Sequence, residues 1–439
     1  MRLIEAAKGA GAEAADAIVI SSSMTTITVA DESLEEAERS EATEFGLRVL
    51  IGQRQACVSS SDPREAVFEE MAARAVAIAQ EAPEDPHCGL LVPSAVTAIA
   101  QDLDLIDPAP TPLPDALEEN ARAAEAAARG VQGVTMVESA SASVGLAQIG
   151  LAASNGFSGS YARSSSALSL SAIAGEGLGR ERDWAAEMRR HRADLPDSAE
   201  IGERAGQRAV ERLDPKRPPS GSYPVLYDAR VAPGLIRHVL GAINGASVAR
   251  GASWLREAMG EQVLPAGISL IDDPLIPRGP ASTPFDAEGV AARRQALIED
   301  GVLTSWILDA ATARKLGLST TGHARRGTSS PPSPGSTNVR LALADGLVRS
   351  RAERIAEMGT GLLVTSMIGA SINATTGAYS RGASGFWVEG GEIAYPVNEI
   401  TVAGSLPEMM RSIAPADDAD PYLSVSVPSL LVEGLTIGA

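Results

Sequence analysis

Apolar residues near the start of the chain recur in short runs, 17–20, 25–29, 34–39, 45–51 and 54–59, divided by polar or glycine-containing breaks. That pattern predicts an antiparallel meander. An Ala-rich stretch, 2–16, precedes it and reads as a short helix. After Asp62-Pro63, a helix start signal, the run 64–80 places Val67, Met71, Ala75 and Ile78 at helical spacing, so one face packs on the meander. Prolines crowd between Pro83 and Pro114, which makes 82–114 an irregular crossing loop, and a helix follows over 115–129. From 134 to 174 small and apolar residues alternate, as in Ser166-Ala167-Leu168-Ser169-Leu170-Ser171-Ala172-Ile173, the period of long antiparallel strands. A helix over 199–213 ends at Asp214-Pro215-Lys216-Arg217-Pro218-Pro219-Ser220-Gly221, the best domain boundary in the sequence.

Beyond it, 223–227 reads as a strand and 232–243 as a helix. The rest is mostly short strands with Gly and Pro corners, interrupted by helical runs at 307–315, 349–358 and 406–413. The segment 325–338 is a low-complexity loop, either mobile or lining a cleft. Phe386-Trp387-Val388 and Ile393-Ala394-Tyr395 flank Gly390-Gly391, the signature of a β-hairpin. Ahead of it Ser380-Arg381-Gly382-Ala383-Ser384-Gly385 suits close approach by another chain or ligand, or a tight loop entering a buried strand. The fold class is α+β: an N-terminal α/β domain over 1–213, with an antiparallel sheet and packed helices, then a β-rich C-terminal domain over 222–439.

Composition narrows the partners. The formal charge of -19, from 37 Lys+Arg against 56 Asp+Glu, opposes general affinity for nucleic acid or an anionic membrane. Two cysteines, Cys57 and Cys88, suit a reducing compartment. The N-terminus carries Glu5 and Glu13 before any long apolar run, unlike a signal peptide or anchor, and no stretch approaches the roughly 20 apolar residues of a membrane helix. The expected location is the cytoplasm.

The familiar catalytic signatures are missing. Gly382-Ala383-Ser384-Gly385 lacks the spacing of a nucleophile elbow. Gly9-Ala10-Gly11-Ala12-Glu13-Ala14 matches a relaxed dinucleotide fingerprint but follows a helix rather than a strand, and Gly175-Glu176-Gly177-Leu178-Gly179 fails on spacing. Among the histidines, His87 adjoins Cys88 in a Pro-rich loop, where neighbouring side chains diverge, and His191 sits in the cationic run 189–192. His323 is open to two readings, a ligand for a substrate carboxylate or a turn cap. His238 lies among Leu235, Val239 and Leu240 on the 232–243 helix with no second histidine or glutamate within two turns, which favours a core or interface role.

Three longer motifs carry a resemblance. They are Ala281-Ser282-Thr283-Pro284-Phe285-Asp286-Ala287-Glu288-Gly289-Val290, the run 313–324 ending Ser319-Thr320-Thr321-Gly322-His323-Ala324, and Tyr379-Ser380-Arg381-Gly382-Ala383-Ser384-Gly385-Phe386-Trp387. In this order they resemble the TldE/PmbA branch of the TldD/PmbA family, densely over 223–406 and more diffusely before it. The resemblance implies a subunit of a bacterial cytosolic metalloprotease that degrades unfolded or flexible peptides and matures some peptide antibiotics; the family was also described as a modulator of DNA gyrase. TldD-like chains hold zinc with a His-Glu-x-x-x-His helix and a C-terminal cysteine, and TldE/PmbA-like chains pair with them.

With His238 on the first histidine of that helix, Val239 and Ile243 take the places of the glutamate and the second histidine; shifted by one, Arg237, His238 and Ala242 fill the three places, so either register loses the glutamate and the second histidine, and the tail 417–439 has no cysteine. The expectation is therefore a chain with no catalytic residues and no metal of its own, zinc lying in a TldD-like partner. Arg381, Ser384, Gly385 and His323 are the candidates for contact with an extended peptide or the partner, by main-chain pairing and hydrogen bonds. Two alternatives stand beside it: a stand-alone homodimer that binds a peptide or regulates a partner without hydrolysis, and a hydrolase built on the carboxylate pair Asp286 and Glu288.

Overall fold

The computed structural model describes residues 1–93 and 102–439, and all counts are of these residues. The expected crossing loop 82–114 lies partly outside them; its described parts contain no α-helix or strand before Pro114. The N-terminal domain runs α1 (Arg2–Gly9), β1 (Ala14–Ala30), β2 (Ser33–Ile51), β3 (Arg54–Ser60), α2 (Glu65–Glu81), α3 (Pro114–Gly130), β4 (Val134–Ala153), β5 (Ser158–Ala174), β6 (Glu181–Arg189) and α4 (Ser198–Glu211). Its strands form one antiparallel sheet, β3-β2-β1-β4-β5-β6.

The first helix is shorter than its Ala-rich sequence suggests. It stops at Gly9, Gly11 turns the chain at φ +107°, and Ala14 to Asp16 open the first strand. The short apolar runs 17–20 and 25–29 are one strand, as are 34–39 and 45–51. Their polar interruptions are paired residues: Ser21 sits opposite Thr43, and the two hydroxyls meet at 3.0 Å. Polar side chains on an open sheet face cost nothing, so a break in the apolar pattern did not mark a turn.

Helices α1 and α2 cover one end of the sheet, burying Leu3, Ala7, Leu47, Val49, Met71 and Ala75. Ile78, expected on that buried face, is 47% exposed, because α2 turns Val76 and Ala79 inward instead. Helices α3 and α4 cover the other end through Ala121, Ala124, Ala140, Leu170 and Ile201. Gly202 lets their backbones meet: a Cβ there would overlap the Ala124 carbonyl oxygen.

The C-terminal domain continues with β7 (Gly221–Tyr227), α5 (Ala232–Ala242), α6 (Gly245–Ala249), β8 (Ile268–Asp272), β9 (Gln295–Glu299), β10 (Val302–Leu303), α7 (Ala310–Lys315), β11 (Ala324–Arg325), β12 (Ser333–Pro334) and β13 (Val339–Leu343). It closes with α8 (Arg351–Met358), β14 (Gly361–Ile372), β15 (Ala378–Glu389), β16 (Glu392–Ser405), α9 (Leu406–Ser412), β17 (Ala414–Pro415), β18 (Val425–Ser426) and β19 (Leu430–Gly438). A five-stranded sheet, β10-β9-β8-β13-β18, and a six-stranded one, β16-β15-β14-β7-β19-β17, enclose α5 in a core that includes Val225, Leu235, Val239, Leu270, Leu297 and Trp387. The helix expected from 307 begins only at Ala310, where the Asp309 carboxylate accepts from the Thr312 amide.

The β15–β16 hairpin turns on Gly390 (φ +60°) and Gly391 (φ +83°), the geometry that two-residue hairpins require. The segment 380–385 is no loop; it lies inside β15, paired to β14 and β16. The low-complexity stretch 325–338 is a strap between the domains. After β11, the buried Arg326 pairs with Asp16 on β1, whose carboxylate also accepts from Arg48 Nε at 2.8 Å, and the Thr328 hydroxyl donates to Glu44 at 2.8 Å. Arg314 reaches the other way and donates to the carbonyls of His87 and Leu90 at 2.8 and 2.9 Å. No helix among the described residues is long and apolar enough to cross a membrane.

Candidate functional site

Helix α5 starts with Pro233 in its first turn, where the missing N–H costs nothing. Its apolar stripe, Leu235, Ile236, Val239 and Leu240, is buried between the two sheets. His238 projects beside that stripe, half-buried, with its ring centroid 6.1 Å from that of Tyr379 and its Nε2 without a hydrogen-bond partner. Burial, then the charge of Arg381, pushes the imidazole below its ordinary pKa of 6.5, so it is neutral at pH 7.

Val239 is 1% exposed and Ile243 fully buried, both among the aliphatic side chains of the core. A zinc site needs at least three protein ligands. Here the donor set is one imidazole among aliphatics, and among the described residues no group of three or more His, Cys, Asp or Glu is placed to hold a metal ion. These residues do not fit a catalytic zinc.

The candidate contact residues fall in different places. Arg381 is half-buried on β15, near His238, and its Nε donates to the Gly369 carbonyl at 2.7 Å across the β14–β15 pair. Ser384 is buried and accepts from Arg212 at 3.0 Å, so its hydroxyl faces the N-terminal domain. Gly385 lies where a Cβ would overlap the Leu363 carbonyl oxygen, a close approach within its own sheet. His323 is only 4% exposed, held between the Thr321 hydroxyl (Nδ1, 2.8 Å) and Asp272 (Nε2, 3.4 Å).

The carboxylate pair is also occupied. Asp286 accepts from the amides of Glu288, Val290 and Ala324 at 2.9, 2.9 and 3.1 Å, and Glu288 accepts from Ala310 at 2.8 Å. Burial, then Asp286, pushes Glu288 up to about 8. Asp286 organises the turn ahead of β9, and Glu288 caps the start of α7.

A cleft of about 690 Å³ opens where β6 and α4 face the ends of β7 and α8. Ion pairs frame it: Asp183 with Arg212 and Arg230, Glu187 with Arg204, and Asp228 with Arg351 at 2.9 Å. Trp184 and Phe386 add apolar surface. Sequence reasoning missed this site, because its residues are spread from 183 to 423 and its charged ones each look like ordinary solvated charges.

Comparison with known proteins agrees with this architecture. Residues 15–79 match the PmbA/TldA metallopeptidase domain 1, 106–213 the central domain and 220–439 the C-terminal domain of the same family. The first two segments contribute to a single sheet, joined by the β1–β4 pairing. Metalloprotease PmbA of Escherichia coli O157:H7 is 37% identical over 394 residues, covering 90% of this chain and 85% of that protein. A solved structure of a candidate modulator of DNA gyrase from Bacteroides thetaiotaomicron superposes with a TM-score of 0.90 at 26% identity, covering 100% of this chain and 97% of the other. TldE from Thermococcus kodakarensis shares the fold, with a TM-score of 0.87 at 20% identity over 100% of this chain and 99% of the other. Matched along its length by these three segments and by a curated relative, the chain belongs to the PmbA/TldD family of metallopeptidases.

Proposed function

We propose that this chain is the TldE/PmbA-like, zinc-ligand-lacking subunit of a TldD/TldE-type metalloprotease of the cytoplasm. Paired with a TldD-like chain, it helps enclose a cleft in which the partner's zinc activates water against a peptide bond. The observation that carries this reading is helix α5, where His238 stands alone and Val239 and Ile243 are packed into the core. Unfolded or flexible peptides, including precursors undergoing maturation, are the substrates, because an extended backbone can be held by main-chain pairing without a side-chain code.

Co-purification with a TldD-like chain followed by peptide turnover tests the proposal. Turnover should require both chains, vanish when the partner's zinc ligands are replaced, and survive His238→Ala in this chain. Turnover by this chain alone, or its loss on His238→Ala in a complex that still assembles, would overturn it.

A further inference from the structure

In the interdomain cleft most cations already have an anion. Arg204 pairs with Glu187, Arg230 with Asp183 and Arg351 with Asp228. Arg208 does not: among the described residues no carboxylate lies within ion-pair distance, and the one hydrogen bond of its guanidinium runs 3.2 Å to the Trp184 carbonyl. Glu211, on the exposed wall, makes no pair with it, and the Asp420 carboxylate is turned to the Tyr422 amide at 2.8 Å. Burial, then the neighbouring charges of Arg230 and Arg204, lowers the Arg208 pKa to about 10. A cation so crowded is stabilised by any anion that reaches it.

A second, independent observation points the same way. Buried polar atoms on this wall lack a hydrogen-bond partner: Thr365 Oγ1, Arg204 Nε and Arg230 Nε, with Thr365 only 8% exposed. Unmet buried donors of this kind are costly. A carboxylate supplies up to four acceptor positions and pairs well with guanidinium groups. The cleft is large enough for the end of a peptide, and Trp184 and Phe386 offer apolar surface for a side chain next to the charge.

We propose that this cleft binds a carboxylate carried by an extended peptide, with Arg208 as the group that pairs with it. The proposal rests on the peptide-handling role above and adds the chemistry of one recognised group. That group is either the peptide's C-terminus or an acidic side chain.

Calorimetric titration of the full chain with three tetrapeptides of one apolar sequence tests it. One has a free C-terminal carboxylate, the second a C-terminal amide, and the third an amide with one residue changed to glutamate. The free acid should bind at least tenfold more tightly than the plain amide, and Arg208→Gln should erase that difference. Recovery of affinity by the glutamate peptide assigns the site to acidic side chains; no recovery assigns it to C-termini. Equal binding of acid and amide, a difference that persists in Arg208→Gln, or no binding of any peptide would overturn the proposal. The acid–amide comparison needs no variant, so a folding defect in Arg208→Gln cannot mask the answer. Turnover in the assembled complex reports on the protease role separately, and would stand unaffected if only the carboxylate site failed.

Discussion

Arg212, at the C-terminal end of α4, donates from Nη2 to the hydroxyl of Ser384 in the middle of β15 at 3.0 Å. The same guanidinium lies 3.4 Å from Glu181 and 3.5 Å from Asp183. One buried contact thus ties the last helix of the N-terminal domain to the central hairpin of the C-terminal one. Ser384 is a joint between domains.

Ser384→Ala removes the acceptor but leaves Arg212 its two carboxylates. A hydrogen bond to a charged group contributes about 1.5–3 kcal/mol, so a loss near the lower end of that range is expected, read as a lower urea midpoint with an unchanged slope.

A larger effect is expected at the strap. Asp16 is buried with Arg48 and Arg326 on either side. Asp16→Ala strands two buried guanidinium groups, and breaking such a network costs about 3–5 kcal/mol. Burial raises the Asp16 pKa, but Arg48 and Arg326 outweigh it and hold the carboxyl below its ordinary 3.8. Its contribution is therefore fully present above pH 3.8 and is lost as the pH falls through the lower folded value. Urea unfolding across acidic pH should show a steeper loss for the wild type than for Asp16→Asn.

Glu288 has the opposite sign. With its folded pKa raised from 4.5 to about 8, the folded state holds a proton that the unfolded state releases, so its contribution is complete below pH 4.5 and is lost as the pH rises towards 8. Stability should decline over that window. Glu288→Gln, which keeps an acceptor for the Ala310 amide, should flatten the decline; an identical slope in the variant would contradict the assignment.

The hairpin, helix α5 and the alternation in β5 were legible because each depends on local pattern: a Gly-Gly turn, an apolar stripe, a period of two. The lengths of β1 and β2 were not, since residues such as Ser21 and Thr43 satisfy each other across a pairing that sequence spacing does not report. That Val239 and Ile243 are aliphatic was legible at once, and the structure packs both into the core. The roles of Ser384 and Arg326 were not, because their partners, Arg212 and Asp16, are 172 and 310 residues away along the chain. The charged cleft is of that second kind.

Gly385 tests whether the hairpin's glycines serve the sheet. A methyl group there would overlap the Leu363 carbonyl oxygen in the β14–β15 pair, and neither is the end of a flexible side chain. Gly385→Ala should cost about 3 kcal/mol or more, seen as a marked fall in the unfolding midpoint. Gly390→Asn, at a turn position with open space around it and φ +60°, should be tolerated within about 0.5 kcal/mol.

The measurement closest to the central claim is the zinc content of the chain, purified alone without a metal-binding tag and analysed by elemental mass spectrometry. The account predicts a value near zero for this chain, rising only when a TldD-like partner is present. A stoichiometry close to one ion per chain in the absence of the partner would mean that His238 finds ligands which Val239 and Ile243 cannot supply, and would contradict the assignment of a zinc-free subunit.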